Sequence, residues 1–279
     1  MKLLKNAPKL WLKKFPWKKK SSNKYSRGRV LILGGQKSMI GATILAAEAC
    51  LRVGVGSVKI ICTKETLPIL SRKFPSALKV EINNLSFLKS FLRKERKTTV
   101  VALAGPGAGK SSKTMKFTEE ILKQIKYVIL DADSLNSFQK KTKKLLKYLD
   151  KNKLITPHQA EFHRLFPSIK TSLSNKEKVL KFLKVCKSNI LLKGNTTVIG
   201  SPNKIVINKH TSSELAVIGS GDVLVGIITS LVGDKKMSLN EAASAGTWVH
   251  GDIAKRHGRG LISEDLVKGI PSALQRLKK

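Results

Sequence analysis

The chain has 279 residues, of which 41% are hydrophobic, so it is long enough to bury the core of one large α/β domain. It contains no apolar run of the roughly 18 residues that a membrane-spanning helix needs, and its Lys-rich start lacks the apolar stretch of a secretory signal. The formal net charge of +36 would suit nucleic acid, but Lys outnumbers Arg by 44 to 10, and base recognition favours Arg. We therefore expect a cytoplasmic protein with a solvated basic surface, which binds small-molecule nucleotides, no specific nucleic acid and no membrane.

The first 27 residues form the most basic segment, with ten basic residues and no acidic one. Four aromatic residues are interleaved with them, and Pro8 and Pro16 interrupt any long membrane-binding helix. We expect residues 1–27 to be a poorly ordered or surface-wrapping arm, and residues 28–279 to be a single domain.

The three cysteines, Cys50, Cys62 and Cys186, are widely spaced and never arranged as C-x-x-C. This pattern predicts free thiols and argues against a disulfide framework and a zinc site. We name no residue as a metal ligand from the sequence.

From residue 29 onward, short β-branched runs alternate with segments of helical period, which indicates a parallel sheet with crossover helices. Strands are predicted over residues 30–33, 58–62, 100–103, 127–130, 154–156 and 190–192. Residues 197–199 and 204–207 are predicted to form a hairpin at one edge, turning through residues 200–203. Helices are predicted over residues 40–52, 111–124, 176–186, 221–231, 239–256 and 263–276. Ligands of such sheets bind at the carboxyl ends of the strands.

Two glycine-rich turns lie between a strand and a helix in the first half of the chain. Gly34 and Gly35, followed by Gly41, would let a ligand approach a helix N-terminus, although such turns are often purely structural. Residues 104–111 match the phosphate-loop pattern G-x-x-x-x-G-K-[ST] except for the Ala at its first position. A phosphate-loop NTPase is therefore one alternative, weakened by Pro106 inside the loop and by two strand-helix units before it.

Polar residues follow the next two strands. Asp131 and Asp133 can hold Mg²⁺ directly or through water, or Asp133 can serve as a helix cap. Pro157 suits the first turn of a helix, which would project His158 and Glu161 into the cleft.

The last two motifs carry phosphate chemistry. Residues 192–197 end a strand in Lys-Gly-Asn-Thr-Thr, and the Lys charge and Thr hydroxyls suit nucleotide phosphates. Residues 219–226 are the most specific motif, because Gly-Ser-Gly-Asp opens an apolar helix whose free N–H groups can bind phosphate. Asp222 in that turn can take a proton from an attacking hydroxyl.

In this order the motifs resemble the ribokinase-like superfamily and, within it, the NAD(P)HX dehydratase family. The resemblance covers residues 24 to 275. It rests on Tyr25-Ser26-Arg27-Gly28, Gly34-Gly35, Gly41-Ala42, Gly105-Pro106-Gly107, Gly109, Asp131-Ala132-Asp133, Thr156-Pro157-His158, Glu161, Leu192-Lys193-Gly194 and Gly219-Ser220-Gly221-Asp222-Val223-Leu224.

The resemblance implies a ribokinase-like α/β fold, in which helices flank both faces of a mostly parallel sheet. It also implies a hydro-lyase that uses ADP, or ATP, to remove water from hydrated NADH or NADPH (NADHX, NADPHX). In this metabolite-repair reaction the ring hydroxyl is phosphorylated and expelled as phosphate, leaving AMP when ADP is used. Mg²⁺ is the expected cofactor, and we expect a homo-oligomer.

Carried over residue by residue, the resemblance makes Asp222 the catalytic base, which also contacts the hydrated cofactor. Gly219, Ser220 and Gly221 would form the anion hole. Five residues would line the cofactor side, namely Ala42, Gly107, Gly109, His158 and Glu161. Five others would line the nucleotide side, namely Lys193, Gly194, Asn195, Thr196 and Thr197.

The chain departs from the family pattern at two places. Ile218 stands where relatives carry a small residue, and Thr211-Ser212-Ser213 replaces a Gly-Asn-Pro stretch that relatives often show near the nucleotide. A kinase of the same superfamily, acting on a vitamin-precursor alcohol, remains an alternative because it would share Asp222 and the anion hole.

Overall fold

The computed structural model describes residues 1–234 and 236–278, and its centre is a β-sheet. The strands are β1 (Lys2–Lys5), β2 (Arg29–Leu33), β3 (Ser57–Cys62), β4 (Leu78–Glu81), β5 (Val101–Ala104), β6 (Tyr127–Leu130), β7 (Lys153–Ile155), β8 (Asn189–Leu192), β9 (Thr197–Ser201) and β10 (Lys204–Asn208). They lie in the order β1-β10-β9-β8-β7-β6-β5-β2-β3-β4 across the sheet. Strand β9 is antiparallel to both neighbours, and the other pairs are parallel.

Helices cover both faces of the sheet, as predicted. They are α1 (Ile40–Val53), α2 (Leu67–Lys73), α3 (Leu85–Glu95), α4 (Ser112–Gln124), α5 (Ala132–Asn136), α6 (Thr142–Leu146), α7 (Gln159–Leu165), α8 (Asn175–Val185), α9 (Ser220–Gly233), α10 (Leu239–His257) and α11 (Ser263–Lys278). Val30 and Ile32 of β2 pack with α1, α2 and α9–α11, while Leu31 and Leu33 pack with α3–α8. This two-residue alternation is why the strands are apolar throughout. Among the helices of the described chain, none is both long and apolar enough to cross a membrane.

All of the predicted strands and helices are present, with ends shifted by one or two residues. The sequence did not predict β1, β4, α2, α3, α5 or α6, and of α7 it indicated only the start, near Pro157. Most of these elements are short, and β4 alternates apolar with charged residues over only four positions, whereas the helical spacing of Leu85, Leu88 and Leu92 in α3 was overlooked. The three cysteines are buried free thiols, as predicted.

The N-terminal segment differs most from the prediction. Its first residues form β1, which pairs in parallel with β10, and Trp11 is 1% exposed against the core. The Asn6 side chain is buried, donates to Asn208 Oδ1 and the Ser244 carbonyl, and accepts from Trp11 Nε1. The segment does lie on the surface, but the prediction of a poorly ordered arm is wrong for these residues because they complete the sheet and its core.

The predicted hairpin forms, but with a shorter turn and in a different place. Ser201 pairs with Lys204, so only Pro202 and Asn203 turn the chain, and Gly200 lies inside β9. The hairpin does not form the sheet edge, because β1 covers β10.

Candidate active site

Two clefts open where strands β2 and β5–β8 end and α9 begins. The first, of about 530 Å³, is lined by Lys193, Ser220, Gly221 and His250, with the 211–217 segment on its outer side. The second, of about 460 Å³, is lined by Gly34, Gly109, Thr114 and Asp133. The structure thus places the predicted motifs around two neighbouring spaces.

The Gly219–Asp222 turn begins α9. Gly219 has a φ of 87°, and an added Cβ would lie 2.5 Å from Leu45 Cδ1, so this position requires glycine. The Ser220 N–H donates to the Val217 carbonyl. The N–H groups of Gly221 and Asp222 belong to the first helical turn, which has no acceptors within the helix. They are therefore free to bind an anion, assisted by the helix dipole.

Lys193 faces this turn from the end of β8. Its Nζ donates to Asp131 Oδ1 at 2.7 Å, and Thr156 Oγ1 lies 2.8 Å from the same oxygen. Burial alone would lower the pKa of Lys193, but the carboxylates of Asp131, Glu161 and Asp222 raise it. A Cβ added to Gly221 would lie 3.5 Å from Lys193 Nζ, so a charged amine and the α9 N–H groups border the same space.

Asp222 occupies the first turn of α9. Burial, together with the nearby Asp131 carboxylate, raises its pKa to about 7, although Lys193 opposes the shift. In the part of the chain that the structure describes, its carboxylate has no hydrogen-bond or ion-pair partner. Its charged neighbours come from both clefts, because Lys193 lines the first and Asp133 the second. Such a carboxylate is poised to accept a proton near neutral pH.

Four backbone N–H groups of the 104–111 loop, including that of Ser111, already donate within the protein. Gly105 N–H donates to the Leu33 carbonyl, Ala108 N–H to the Gly105 carbonyl, and Gly109 N–H to Asp133 Oδ2. Lys110 is exposed and donates to Gln139 Oε1 at 2.7 Å. Only the separated N–H groups of Gly107 and Lys110 are left without an acceptor in the described chain, so the loop lacks the continuous set that a phosphate loop directs at its ligand.

The two aspartates after β6 have separate tasks. Asp131, and not Asp133, occupies the N-cap position of α5, so the capping alternative for Asp133 is wrong. Burial raises the pKa of Asp133, and its hydrogen bond from Gly109 opposes that shift. Ala132 between them has a φ of 45°, a strained conformation for a residue with a side chain, and it separates the two carboxylates.

His158 and Glu161 form a capping box at the start of α7. Helix α7 begins at Gln159, so His158 is its N-cap and Pro157 precedes the helix instead of lying in its first turn. His158 Nδ1 accepts from Ala160 N–H, and Glu161 Oε2 accepts from His158 N–H. His158 lines the first cleft beside Lys193, whereas the resemblance assigned it to the cofactor side. Burial, with Lys193 and Arg164 nearby, lowers the pKa of His158.

Some of the remaining predicted residues line the first cleft, and the others lie outside both clefts. Gly194, Asn195 and Thr197 line the first cleft. Thr196 lies beside them, and its carbonyl accepts from Asn175 Nδ2. Gly107 is buried at a φ of 63°, where an added Cβ would lie 2.2 Å from the Met39 carbonyl oxygen. Ala42 lies in the first turn of α1 and lines neither cleft.

Sequence reasoning missed several residues of the site. Asn208, Thr247 and His250 line the first cleft, and Thr43 joins the two glycine-rich turns near the second. Thr43 Oγ1 accepts from Gly35 N–H and donates to the Pro106 carbonyl. These residues lie inside regular elements, where single polar residues carry no local signal.

The family can now be assigned. A family model described as NAD(P)H-hydrate dehydratase matches residues 30–272. The chain belongs to this family. It is 32% identical over 248 residues to the ADP-dependent (S)-NAD(P)H-hydrate dehydratase of Neisseria meningitidis, a match that covers 86% of this chain and 80% of that protein.

Two further relatives can be compared with this chain, one in length and one in fold. The chain is 30% identical to the bifunctional NAD(P)H-hydrate repair enzyme Nnr of Moorella thermoacetica, over 95% of this chain but 52% of that enzyme. The chain thus spans about half the length of such bifunctional relatives. The ADP/ATP-dependent NAD(P)H-hydrate dehydratase of Bacillus subtilis, co-crystallised with ATP and Mg²⁺, has the same fold, with a TM-score of 0.81, 23% identity and 99% of each chain covered.

Proposed function

We propose that this member of the NAD(P)H-hydrate dehydratase family removes water from hydrated NADH or NADPH at the expense of ADP or ATP. The observation that carries this proposal is the Asp222 carboxylate, which has a raised pKa, lies in the first turn of α9 and is influenced by Lys193 of the first cleft and Asp133 of the second. One group can thereby deprotonate a hydroxyl in one space while phosphate is held in the next.

In the first step, the ring hydroxyl of the hydrated cofactor attacks the terminal phosphorus of the nucleotide. Its proton passes to Asp222 as the new O–P bond forms and the bond to the bridging oxygen breaks, releasing AMP from ADP or ADP from ATP. The Gly221 and Asp222 N–H groups and Lys193 stabilise the charge that develops on the phosphoryl oxygens.

In the second step, the C–O bond breaks and phosphate leaves, while a proton from the neighbouring ring carbon is lost. The two steps together remove one water and restore the reduced nicotinamide. Phosphorylation is needed because phosphate is a far better leaving group than hydroxide. The same anion hole holds the phosphate as it departs.

We assign the nucleotide to the first cleft and the hydrated cofactor to the second. The first cleft contains the positively charged Lys193 and the hydroxyls of Thr197, Thr211 and Ser213, which suit phosphate and ribose. The second cleft adjoins the polar, glycine-lined turns around Gly34 and Gly109, where a flat ring can approach the backbone.

The site also fits Mg²⁺. Among residues 1–234 and 236–278 no cluster of three or more His, Cys, Asp or Glu side chains could enclose a metal. Nucleotide-bound Mg²⁺ does not need one, because phosphate oxygens and water supply most of its ligands. The carboxylates of Asp131 and Glu161 lie near Lys193 and are the groups that would hold it, and when bound the ion neutralises phosphate charge.

A vitamin-precursor kinase would share Asp222 and the anion hole, and the same assay separates it from a dehydratase. Purified protein is mixed with hydrated NADH and Mg²⁺ and with ADP, ATP or neither, and the return of the reduced nicotinamide absorbance is followed. We expect recovery only with a nucleotide, with one AMP per NADH when ADP is used. Nucleotide consumption with alcohols but not with the hydrated cofactor would overturn the proposal.

We also propose a cytoplasmic homo-oligomer. The buried free thiols suit a reducing compartment, and closed homo-oligomers are common among enzymes of this size. Sedimentation of the purified protein tests the assembly, and a monomer at micromolar concentration would contradict it.

A further inference from the structure

We propose that His250 is a positioning residue that orients the Ser220 hydroxyl, so that this hydroxyl donates to the terminal phosphate of the nucleotide. The inference rests on the proposed function only in placing that phosphate at the Gly219–Asp222 turn. It concerns a residue from α10, 30 positions away from Ser220 in the sequence.

The geometry places one imidazole nitrogen against two oxygens of the same serine. His250 Nε2 lies 3.0 Å from the Ser220 carbonyl oxygen and 3.2 Å from Ser220 Oγ. Both residues are 5% exposed, and both line the first cleft. This contact ties helix α10 to the first turn of α9.

The carbonyl oxygen decides which nitrogen carries the proton. A carbonyl can only accept, so the 3.0 Å contact requires a proton on Nε2. Burial lowers the pKa of His250 to about 4, although the Ser220 carbonyl opposes this shift, and the ring is therefore neutral at pH 7. The uncharged ring with its proton on Nε2 is the form that fits the site.

This tautomer leaves the serine proton free. Ser220 Oγ cannot donate to a nitrogen that already bears hydrogen, so it accepts from Nε2 or only faces it. Its own proton must then point elsewhere, and the cleft is the polar space that Ser220 lines. The Ser220 backbone N–H is already used by the Val217 carbonyl, so the hydroxyl is the donor that this residue can offer phosphate.

The test measures ADP affinity by calorimetry and steady-state kinetics for His250→Leu, His250→Gln and Ser220→Ala, with the His250→Leu/Ser220→Ala double variant. A hydrogen bond to a charged group typically contributes enough that its loss lowers affinity by about tenfold or more. We expect that loss in the ADP affinity of both His250→Leu and Ser220→Ala, with the KM for the hydrated cofactor unchanged. The Gln amide reaches the Nε2 position and should restore most of the affinity.

The double variant distinguishes positioning from a merely structural role. If His250 acts through the hydroxyl, the double variant binds ADP no more weakly than Ser220→Ala alone. Multiplied losses, or a His250→Leu protein that binds ADP like the wild type, would overturn the inference. His257→Leu, on the exposed end of the same helix, is the matched control and should bind ADP normally.

The binding measurement also separates this inference from the proposed function. A wild-type protein that binds ADP but does not restore the reduced cofactor would contradict the dehydratase proposal, while the variants would still test His250. A wild-type protein that binds neither ADP nor ATP would overturn both.

Discussion

Two glycine-rich turns of this protein each join an apolar segment to a helix, and they differ in how their backbone N–H groups are used. The turn before α4 contains Gly105, Gly107 and Gly109, and each of these glycines has a positive φ. Three of its N–H groups donate to Leu33, Gly105 and Asp133 within the protein. The turn before α9 leaves the N–H groups of Gly221 and Asp222 at an open helix end beside Lys193.

The difference shows that a glycine pattern alone does not define a phosphate site. In the 104–111 loop the glycines allow the backbone to pass close to Met39, Gln36 and Asp131. In the 219–222 turn, only Gly219 has a positive φ. A Cβ at Gly221 would point toward Lys193 Nζ, into the space where we propose that phosphate binds. What decides between these roles is whether consecutive N–H groups remain unpaired at a helix N-terminus beside a cleft and a cation.

Asp222→Asn gives the largest effect on activity that we expect. An amide cannot take the hydroxyl proton, and general-base assistance typically contributes about 10² to 10⁴-fold to the rate. kcat should fall by that factor in the absorbance assay, while ADP affinity measured by calorimetry stays close to wild type. A variant with near wild-type kcat would remove Asp222 from the mechanism.

Gly221→Ala should lower activity without harming the fold. The new Cβ meets only Lys193 Nζ, at 3.5 Å, and Ala is favoured over Gly in a helix by up to about 1 kcal/mol. The melting temperature should therefore be unchanged or higher. The methyl group nevertheless occupies the space between Lys193 and the helix end, so we expect at least a roughly tenfold loss in kcat/KM for ADP. The larger Val side chain at this position should abolish turnover.

Gly107→Ala is the matched change in the other turn and should show the reverse pattern. At a φ of 63°, with the Met39 carbonyl oxygen 2.2 Å from the added Cβ, the loop must shift. We expect a loss of about 1–3 kcal/mol in the free energy of unfolding, measured with urea. An unchanged unfolding midpoint would mean that this turn is not structurally constrained as described.

The pH dependence of turnover tests the environment of Asp222. Its pKa is raised to about 7, so the carboxylate is protonated below that pH and cannot act as a base. The value of kcat/KM should fall roughly tenfold per pH unit below pH 7 and level off above it. A rate that is flat from pH 5 to pH 8 would contradict this.

The raised pKa of Asp222 also makes the free energy of unfolding depend on pH. The raised pKa contributes stability that is present below the unfolded value of 3.8 and is lost as pH rises through about 7. Asp222→Asn lacks this titration, so its stability relative to wild type should grow across that window. Urea unfolding at pH 4, 5.5 and 8 measures the difference.

Much of the fold could be predicted because its signals are local. The runs of β2 and β5–β8 consist mainly of β-branched or aliphatic residues, and each is followed within two residues by a glycine, proline or aspartate, which marks a buried parallel strand. Strand β1 could not be found this way, since Lys2 and Lys5 flank only two leucines in a segment dominated by charge. Only its pairing with β10 and the burial of Trp11 give it a place.

The site was predictable where its chemistry lies in consecutive residues. Residues 219–222 and 193–197 identified the first cleft because turn glycines, a lysine and hydroxyls stand together there. His250 and Thr43 could not be identified, since each acts on a segment distant in sequence and lies among ordinary helical residues. Their roles come from tertiary packing alone.

Lys110→Ala should have the smallest effect, and it distinguishes the two turns most directly. If the 104–111 loop bound phosphates, Lys110 would contact the terminal phosphate and its removal would cripple nucleotide use. In the structure its Nζ instead donates to Gln139 Oε1 on the surface, and Lys110 lies at the rim of the second cleft. Exposed substitutions of this kind usually change free energies by well under about 1 kcal/mol, which corresponds to less than about fivefold in a rate or binding constant. We expect unchanged KM and kcat for ADP, with at most a small rise in the KM for the hydrated cofactor. Lys113→Ala, on the rim of the same cleft, is the control for the loss of one positive charge there and should give the same result. A Lys110→Ala protein that loses ADP turnover while Gly221→Ala keeps it would reverse the roles assigned to the two turns and revive the phosphate-loop alternative.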